Sequence, residues 1–273
     1  MEIEKETPLS ALVNGHQQHA MVVVSHATGI AVRKARDRGI AIVGVNHINT
    51  SSGALGYYAR LIAQAGLVGF VFAEASEMVA PEGSHERVLG TNPLAIGMPS
   101  DGGPLVLDLA TSAMAYYGVI EARTAGRRLP DGAAFDKDRK PTTDPGDVID
   151  GGALRTFDGG PKSSGLSLMV QALAGPLVGA AFAGIGDMAA NAAGHLIMAF
   201  DPDLLGGRDA LKSNVARLVT RVKGAKRLPG VDEILVPGER GDRATRRALA
   251  ADEVEIEDNL YRELLAASRE APR

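Results

Sequence analysis

The chain of 273 residues contains no cysteine and no tryptophan, and only 4% of its residues are aromatic. Without cysteine there is no disulfide, no thiolate nucleophile and no thiolate-ligated metal. That absence suits a reducing compartment, and the cytoplasm is the expected location. No run reaches the ~18–20 uninterrupted apolar residues of a membrane span. The longest candidate, Leu166 to Ile185, is interrupted by Ser167, Gln171, Gly175, Pro176, Gly179 and Gly184, and reads as a buried helix. The start, Met1-Glu2-Ile3-Glu4-Lys5-Glu6, is too charged for a secretory leader. A formal net charge of −4 gives no electrostatic reason to expect nucleic acid or an anionic membrane as partner. No His, Asp and Glu spacing suggests a metal site.

What is present is a soluble composition, 45% apolar and 23% charged, rich in alanine and with 33 glycines. With so few large rings, packing is expected to rely on close backbone approach. Residues 1–17 are polar and poorly patterned. A helix is predicted over Gln18–Arg38, burying Val23, Ala27, Ile30 and Ala31, with a basic last turn and Gly39 behind it. Ile40 to Val45 and Leu67 to Ala73 read as buried strands, with a helix from Ala54 to Ala65 between them. This strand–loop–helix–strand order makes the fold mixed α/β. Residues 74–104 read as a long loop, Leu105 to Asp108 as a strand, and 110–125 as a helix capped by Thr111 or Ser112. Residues 126–160 are loop-rich. Further elements are a strand over Gly194–Asp201, a basic helix over Arg208–Lys223, a short strand and turn over Ile234–Arg240, and a helical tail with Leu260, Leu264 and Leu265 on its apolar side.

The stretch Phe157-Asp158-Gly159-Gly160-Pro161-Lys162-Ser163-Ser164-Gly165 passes abruptly into the apolar Leu166-Ser167-Leu168-Met169-Val170. Free N–H groups at a helix start favour an anion, Ser163 or Ser164 can cap, and Lys162 adds a full charge. The physics alone marks a candidate anion or phosphate site; the alternative for Lys162 is a solvated loop lysine. A P-loop is excluded, because Thr156 and Pro161 stand where its two glycines belong. The G-x-G-x-x-G fingerprint is absent from the first strand–helix turn, which counts against an ordinary Rossmann domain.

Several stretches, in order along the chain, match one family. They are Gly53-Ala54-Leu55-Gly56-Tyr57-Tyr58-Ala59, Leu89-Gly90-Thr91-Asn92-Pro93-Leu94-Ala95-Ile96, Leu107-Asp108-Leu109-Ala110-Thr111-Ser112, Pro141-Thr142-Thr143-Asp144-Pro145, Gly160-Pro161-Lys162 with Gly165-Leu166, and Val236-Pro237-Gly238-Glu239-Arg240. The chain resembles the malate/L-lactate dehydrogenase family that is unrelated to the Rossmann enzymes. The resemblance implies an α/β fold with a largely antiparallel cofactor-domain sheet flanked by helices. It implies hydride transfer between NAD or NADP and a small 2-hydroxy or 2-oxo acid, and a homodimer. It implies a cofactor unit over residues 56–194, with residues 1–55 and 195–273 as what remains of a substrate and dimerisation unit. Carried over position by position, Asp108, Leu109, Ala110, Thr111, Pro161, Lys162, Gly238 and Glu239 are the expected cofactor contacts.

Two departures temper the catalytic side. The family's upstream Ser-His-Gly segment has no counterpart here, since Ser25-His26 is followed by Ala27 inside a predicted helix. Ser51 stands where the family usually has a histidine. Hydride transfer needs a group to take or give a proton, and an imidazole titrates near neutrality. His47, at a strand end in a polar loop, is therefore the candidate proton-transfer residue, against an ordinary loop histidine as the alternative. Ser51 is a candidate for orienting substrate or water, against a role in the turn. His26 and His195 read as structural. Asp108 is open between a helix-cap acid and a cofactor contact, and Glu239 between a cofactor contact and a pair with Arg240. A non-catalytic or truncated member that keeps the fold is the rival functional reading.

Overall fold

Strand β3 (Ile40–Asn46) lies near the middle of a seven-stranded sheet. Its apolar run buries Ala41, Val43 and Val45 completely. The computed structural model describes residues 1–187, 189 and 193–270. Preceding β3 are β1 (Glu2–Glu6), β2 (Ser10–Asn14) and helix α1 (Ala20–Arg38). Following it are α2 (Leu55–Gln64), β4 (Val68–Ala73), β5 (Val79–Ala80), β6 (Leu94–Met98) and β7 (Leu105–Leu109). The strand β11 (His195–Phe200) returns late in the chain, and the sheet order is β1-β2-β3-β11-β4-β6-β7.

Only β2 and β3 run parallel in this sheet; the other neighbours are antiparallel. The fold is thus α/β with a mostly antiparallel sheet flanked by helices, as expected. The anticipated strand–helix–strand unit is present, with β11 inserted antiparallel between β3 and β4. The sheet takes β1, β2, β3 and β11 from residues 1–55 and 195–273, and β4, β6 and β7 from residues 56–194.

Helices α1 and α2 cover one face through a core of small and branched side chains, among them Val23, Ala27, Ile30, Ala31, Ile62 and Val71. All four expected apolar residues of α1 are in it. Gly39 ends α1 at φ 85°, with its N–H bonded to Ala35 O. The low aromatic content finds its counterpart at Gly97, where a Cβ would stand 2.2 Å from the Ala59 carbonyl oxygen. Only glycine lets α2 lie that close to β6. The opposite face is covered by α5 (Pro161–Ala174) and a 3₁₀ turn at Pro176–Val178, packed through Leu12, Phe72, Leu173, Val178, Leu196 and Met198.

Several sequence expectations are corrected. Residues 1–17 hold the β1–β2 hairpin. The long loop at 74–104 contains β5 and β6. The helix expected at 110 begins only at Tyr116 (α3, Tyr116–Thr124), and neither Thr111 nor Ser112 caps it. Residues 126–160 contain β8 (Ala134–Phe135), β9 (Pro141–Thr142), α4 (Pro145–Ile149) and β10 (Ala153–Arg155). With β5 these strands make a second sheet, ordered β5-β10-β8-β9. The apolar stretch from Leu166 is no continuous buried helix: α5 stops before Gly175-Pro176, and Leu168 and Met169 are exposed. Helix α6 (Arg208–Lys223) has the expected limits. No strand forms at Ile234–Arg240; a turn leads into α7 (Glu239–Ala251), which the alternation of short apolar residues disguised. Helix α8 (Asp258–Glu270) closes the described chain.

Candidate active site and cofactor loops

The loop between β3 and α2 holds both candidate catalytic residues. Asn46, buried at the end of β3, donates its Nδ2 to the Val178 carbonyl at 2.9 Å. Its Oδ1 is therefore the acceptor for the His47 Nδ1 at 3.0 Å. A neutral His47 then carries its lone pair on Nε2, the arrangement required of a proton acceptor. His47 is half-buried and holds the left-handed conformation at φ 49°. Ser51 Oγ accepts the Gly53 N–H at 3.1 Å, a turn contact.

Ser52, the next residue, is held at two points. Its carbonyl accepts the Tyr58 hydroxyl at 2.7 Å, and its Oγ lies 2.8 Å from His195 Nε2. Burial pushes the Tyr58 phenol up to about 12 and the His195 imidazole down to about 4, so both are neutral at physiological pH. From the sequence His195 reads only as a structural histidine. The register of β11 against β3, which places it opposite Val45 beside this loop, is a tertiary fact with no local signal.

The expected cofactor loops gather around β7. Asp108 Oδ2 accepts the Gly56 N–H at 2.7 Å, so the carboxylate caps α2 across the chain. The bond is of the helix-cap kind, in a form the sequence did not suggest, since the helix lies upstream. Leu109 and Ala110 are half-buried at the strand end. Thr111 is fully buried; its hydroxyl donates to the carbonyls of Thr91 and Asn92 at 3.1 and 3.0 Å, and its own carbonyl accepts Phe157 N–H at 3.0 Å. This last bond ties the Asp108–Thr111 turn to the loop that begins α5.

Pro161 is the first residue of α5 and Lys162 the second; both are exposed. Ser163 and Ser164 are helical rather than capping. The start of α5 is closed by Asp158, whose Oδ1 accepts the Gly160 N–H at 2.8 Å and the Ser163 hydroxyl. These bonds, the Ser163 hydroxyl first, hold its carboxyl below the usual range. Lys162 makes no hydrogen bond or ion pair with any described residue, which leaves its ammonium for a ligand.

Gly238 precedes α7 at φ 83°, and a Cβ there would stand 2.9 Å from the Val106 carbonyl of β7. Glu239 does not pair with Arg240. It accepts Lys223 Nζ at 2.6 Å and also bonds Arg243 and the Val236 N–H. Lys223 above all pulls its carboxyl down to about 2.

A buried polar chain behind these loops also escaped the sequence reading. Asn92 Nδ2 donates to Gln171 Oε1 at 2.6 Å and to Ser167, and Gln171 Nε2 donates to Glu74. Glu74 is 4% exposed, its Oε2 has no partner among the described residues, and burial raises its pKa to about 8. Among the described residues there is no cluster of three metal-ligating side chains and no helix long and apolar enough to cross a membrane.

A mostly antiparallel sheet flanked by helices, with the Gly238 turn packed on β7 and the loop before α5 tied to the end of β7 through Thr111, is a non-Rossmann architecture. The chain matches the malate/L-lactate dehydrogenase family over residues 1–265. It is 36% identical to the L-sulfolactate dehydrogenase of Methanothermobacter thermautotrophicus, over 98% of this chain and 77% of that protein. It is 30% identical to the ureidoglycolate dehydrogenase (NAD(+)) of Escherichia coli K12, over 97% and 76%. The solved sulfolactate dehydrogenase from Methanocaldococcus jannaschii superposes with a TM-score of 0.83 at 33% identity, covering 96% of this chain and 76% of that one. The chain belongs to the malate/L-lactate dehydrogenase family, and the relatives just given are named as dehydrogenases.

Proposed function

We propose that this protein transfers a hydride between NAD or NADP and a small 2-hydroxy/2-oxo acid. The observation that carries the reading is the junction of two loops through Asp108. Its bond to Gly56 sets the turn after β7 against the helix that follows the His47 loop. Relatives named for sulfolactate, malate and ureidoglycolate share the 2-hydroxy acid as common chemistry.

When bound, the nicotinamide accepts or returns the hydride. The residues present fit that cofactor at Lys162, whose ammonium has no hydrogen bond or ion pair with any described residue and offers a phosphate a charge-assisted contact. Pro161, Gly238 and the half-buried Leu109 and Ala110 are assigned the surrounding wall. Asp108, Thr111 and Glu239 act through the bonds already described, shaping the loops rather than offering free groups. His47 is assigned the proton of the substrate hydroxyl, taken at Nε2, with Ser51 ordering the turn beside it. We further assign the protein to the cytoplasm and to a homodimer, supported by the absence of cysteine and by the exposed Leu168, Met169 and Leu177.

A second reading has its own observation. Ser51 occupies the position usual for a family histidine and is engaged with Gly53, which favours a member that binds cofactor without turnover. Mixing the protein with NADH or NADPH and a panel of 2-oxo acids decides between them. Loss of the reduced cofactor's near-ultraviolet absorbance with one acid supports the dehydrogenase. Cofactor binding by titration, with no turnover at high protein concentration, supports the second reading.

A further inference from the structure

Ser52 is unusual among the loop residues in being pinned by two buried side chains from different elements. Tyr58, on α2, holds its carbonyl, and His195, the first residue of β11, meets its hydroxyl. His195 is 2% exposed, and its Nδ1 has no hydrogen-bond partner among the described residues. A neutral imidazole has one N–H, and its position follows from that imbalance. Were the proton on Nδ1, a buried donor would be left unmade. On Nε2, only a lone pair lacks a partner, which costs less. Nε2 therefore donates, Ser52 Oγ accepts, and the Ser52 O–H proton points away from His195. Ser52 is half-buried on the loop that also carries His47, and with Nε2 as the donor no described residue takes its O–H proton.

We propose that His195 is a positioning residue that sets Ser52 as a hydrogen-bond donor to an oxygen of the bound 2-oxo acid, its carbonyl or its carboxylate. This rests on the dehydrogenase reading given above. Ser52 is the residue that touches substrate; His195 acts only through it. The pair explains why the fold buries a histidine with one unmatched nitrogen: the cost is offset by the fixed direction of a hydroxyl at the site.

The test uses the whole protein. Nitrogen-15 NMR of histidine-labelled protein should show His195 as the Nε2–H tautomer across neutral pH; an Nδ1–H tautomer overturns the proposal. In steady-state assays with reduced cofactor and the turned-over 2-oxo acid, Ser52→Ala and His195→Phe should each lower kcat/KM on the order of 10- to 100-fold. The dissociation constant of the reduced cofactor should stay within about twofold. The double variant should be no worse than either single one, and His195→Gln, which keeps an N–H in reach, should recover most of the loss. If His195→Phe fails to fold, Ser52→Ala against Ser52→Thr decides. Wild-type turnover with Ser52→Ala unaffected overturns this proposal alone. Parallel loss of melting temperature, cofactor affinity and turnover, without rescue by glutamine, also overturns it. No wild-type turnover with any 2-oxo acid defeats the dehydrogenase reading, and this proposal with it.

Discussion

The carboxylate of Asp158 accepts the hydroxyl proton of Ser163 and, at 2.8 Å, the N–H of Gly160. The chain thus places its own anion at the start of α5, where composition alone suggested a vacant anion site. Lys162 stays outside this arrangement, so the two opposite charges at one helix start have separate roles.

Replacing Asp158 by Ala should lower the melting temperature and tighten phosphate-bearing ligands, because freed N–H groups face them. The carboxyl titrates below its unfolded value, so its contribution is present above the ordinary carboxylate pKa. It is lost as pH falls through the depressed folded value. Thermal melts of wild type and Asp158→Ala should therefore converge in acid. A gap that persists there would show that the cap is not ionic.

Lys162→Ala should weaken NADH or NADPH binding by about tenfold or more, as loss of a charge-assisted contact does. The melting temperature should hold, since the exposed ammonium has no partner among the described residues to lose. Fluorescence titration at two salt concentrations checks this. An unchanged dissociation constant would return Lys162 to the role of a solvated lysine.

His47→Asn should reduce kcat by roughly 10²–10⁴-fold, the range for a lost general base. Cofactor affinity should be little changed, because the residues proposed to hold the cofactor lie on other loops. Retention of wild-type kcat would transfer the proton-handling role to another group.

Glu74→Gln should change the pH dependence of stability. The wild-type carboxyl holds its proton up to about 8 when folded, against 4.5 as the ordinary value. Between those values the unfolded chain releases a proton that the folded one keeps, so wild-type stability falls as pH rises. Glutamine cannot ionise, and the variant should gain on wild type across that window. Melting curves collected through it test the sign; a constant difference would place the carboxyl in a wetter setting.

Helix α1, with Val23, Ala27, Ile30 and Ala31 on one side and Gly39 at its end, was readable because helical periodicity and capping are local. The limits of α6 were readable for the same reason. The strands β1 and β2 were missed because each is stabilised by pairing rather than by its own pattern, β2 through its parallel register with β3. Helix α7 was missed because it buries no residue and its apolar side is mostly alanine.

By itself, the sequence determined the family, the α/β class and the residues of the glycine- and lysine-bearing loops, since these rest on residue identity and short-range conformation. It also named Lys162, and His47 without the Asn46 contact that orients its ring. Only the tertiary structure decided that Asp108 caps α2, that Thr111 spends its hydroxyl on Thr91 and Asn92, that Glu239 binds Lys223, and that His195 meets Ser52 across 143 positions. The physical reason is the same in each case. A polar side chain is stabilised by a hydrogen-bond partner, and the packing of the elements, not the spacing along the chain, determines which partner is within reach.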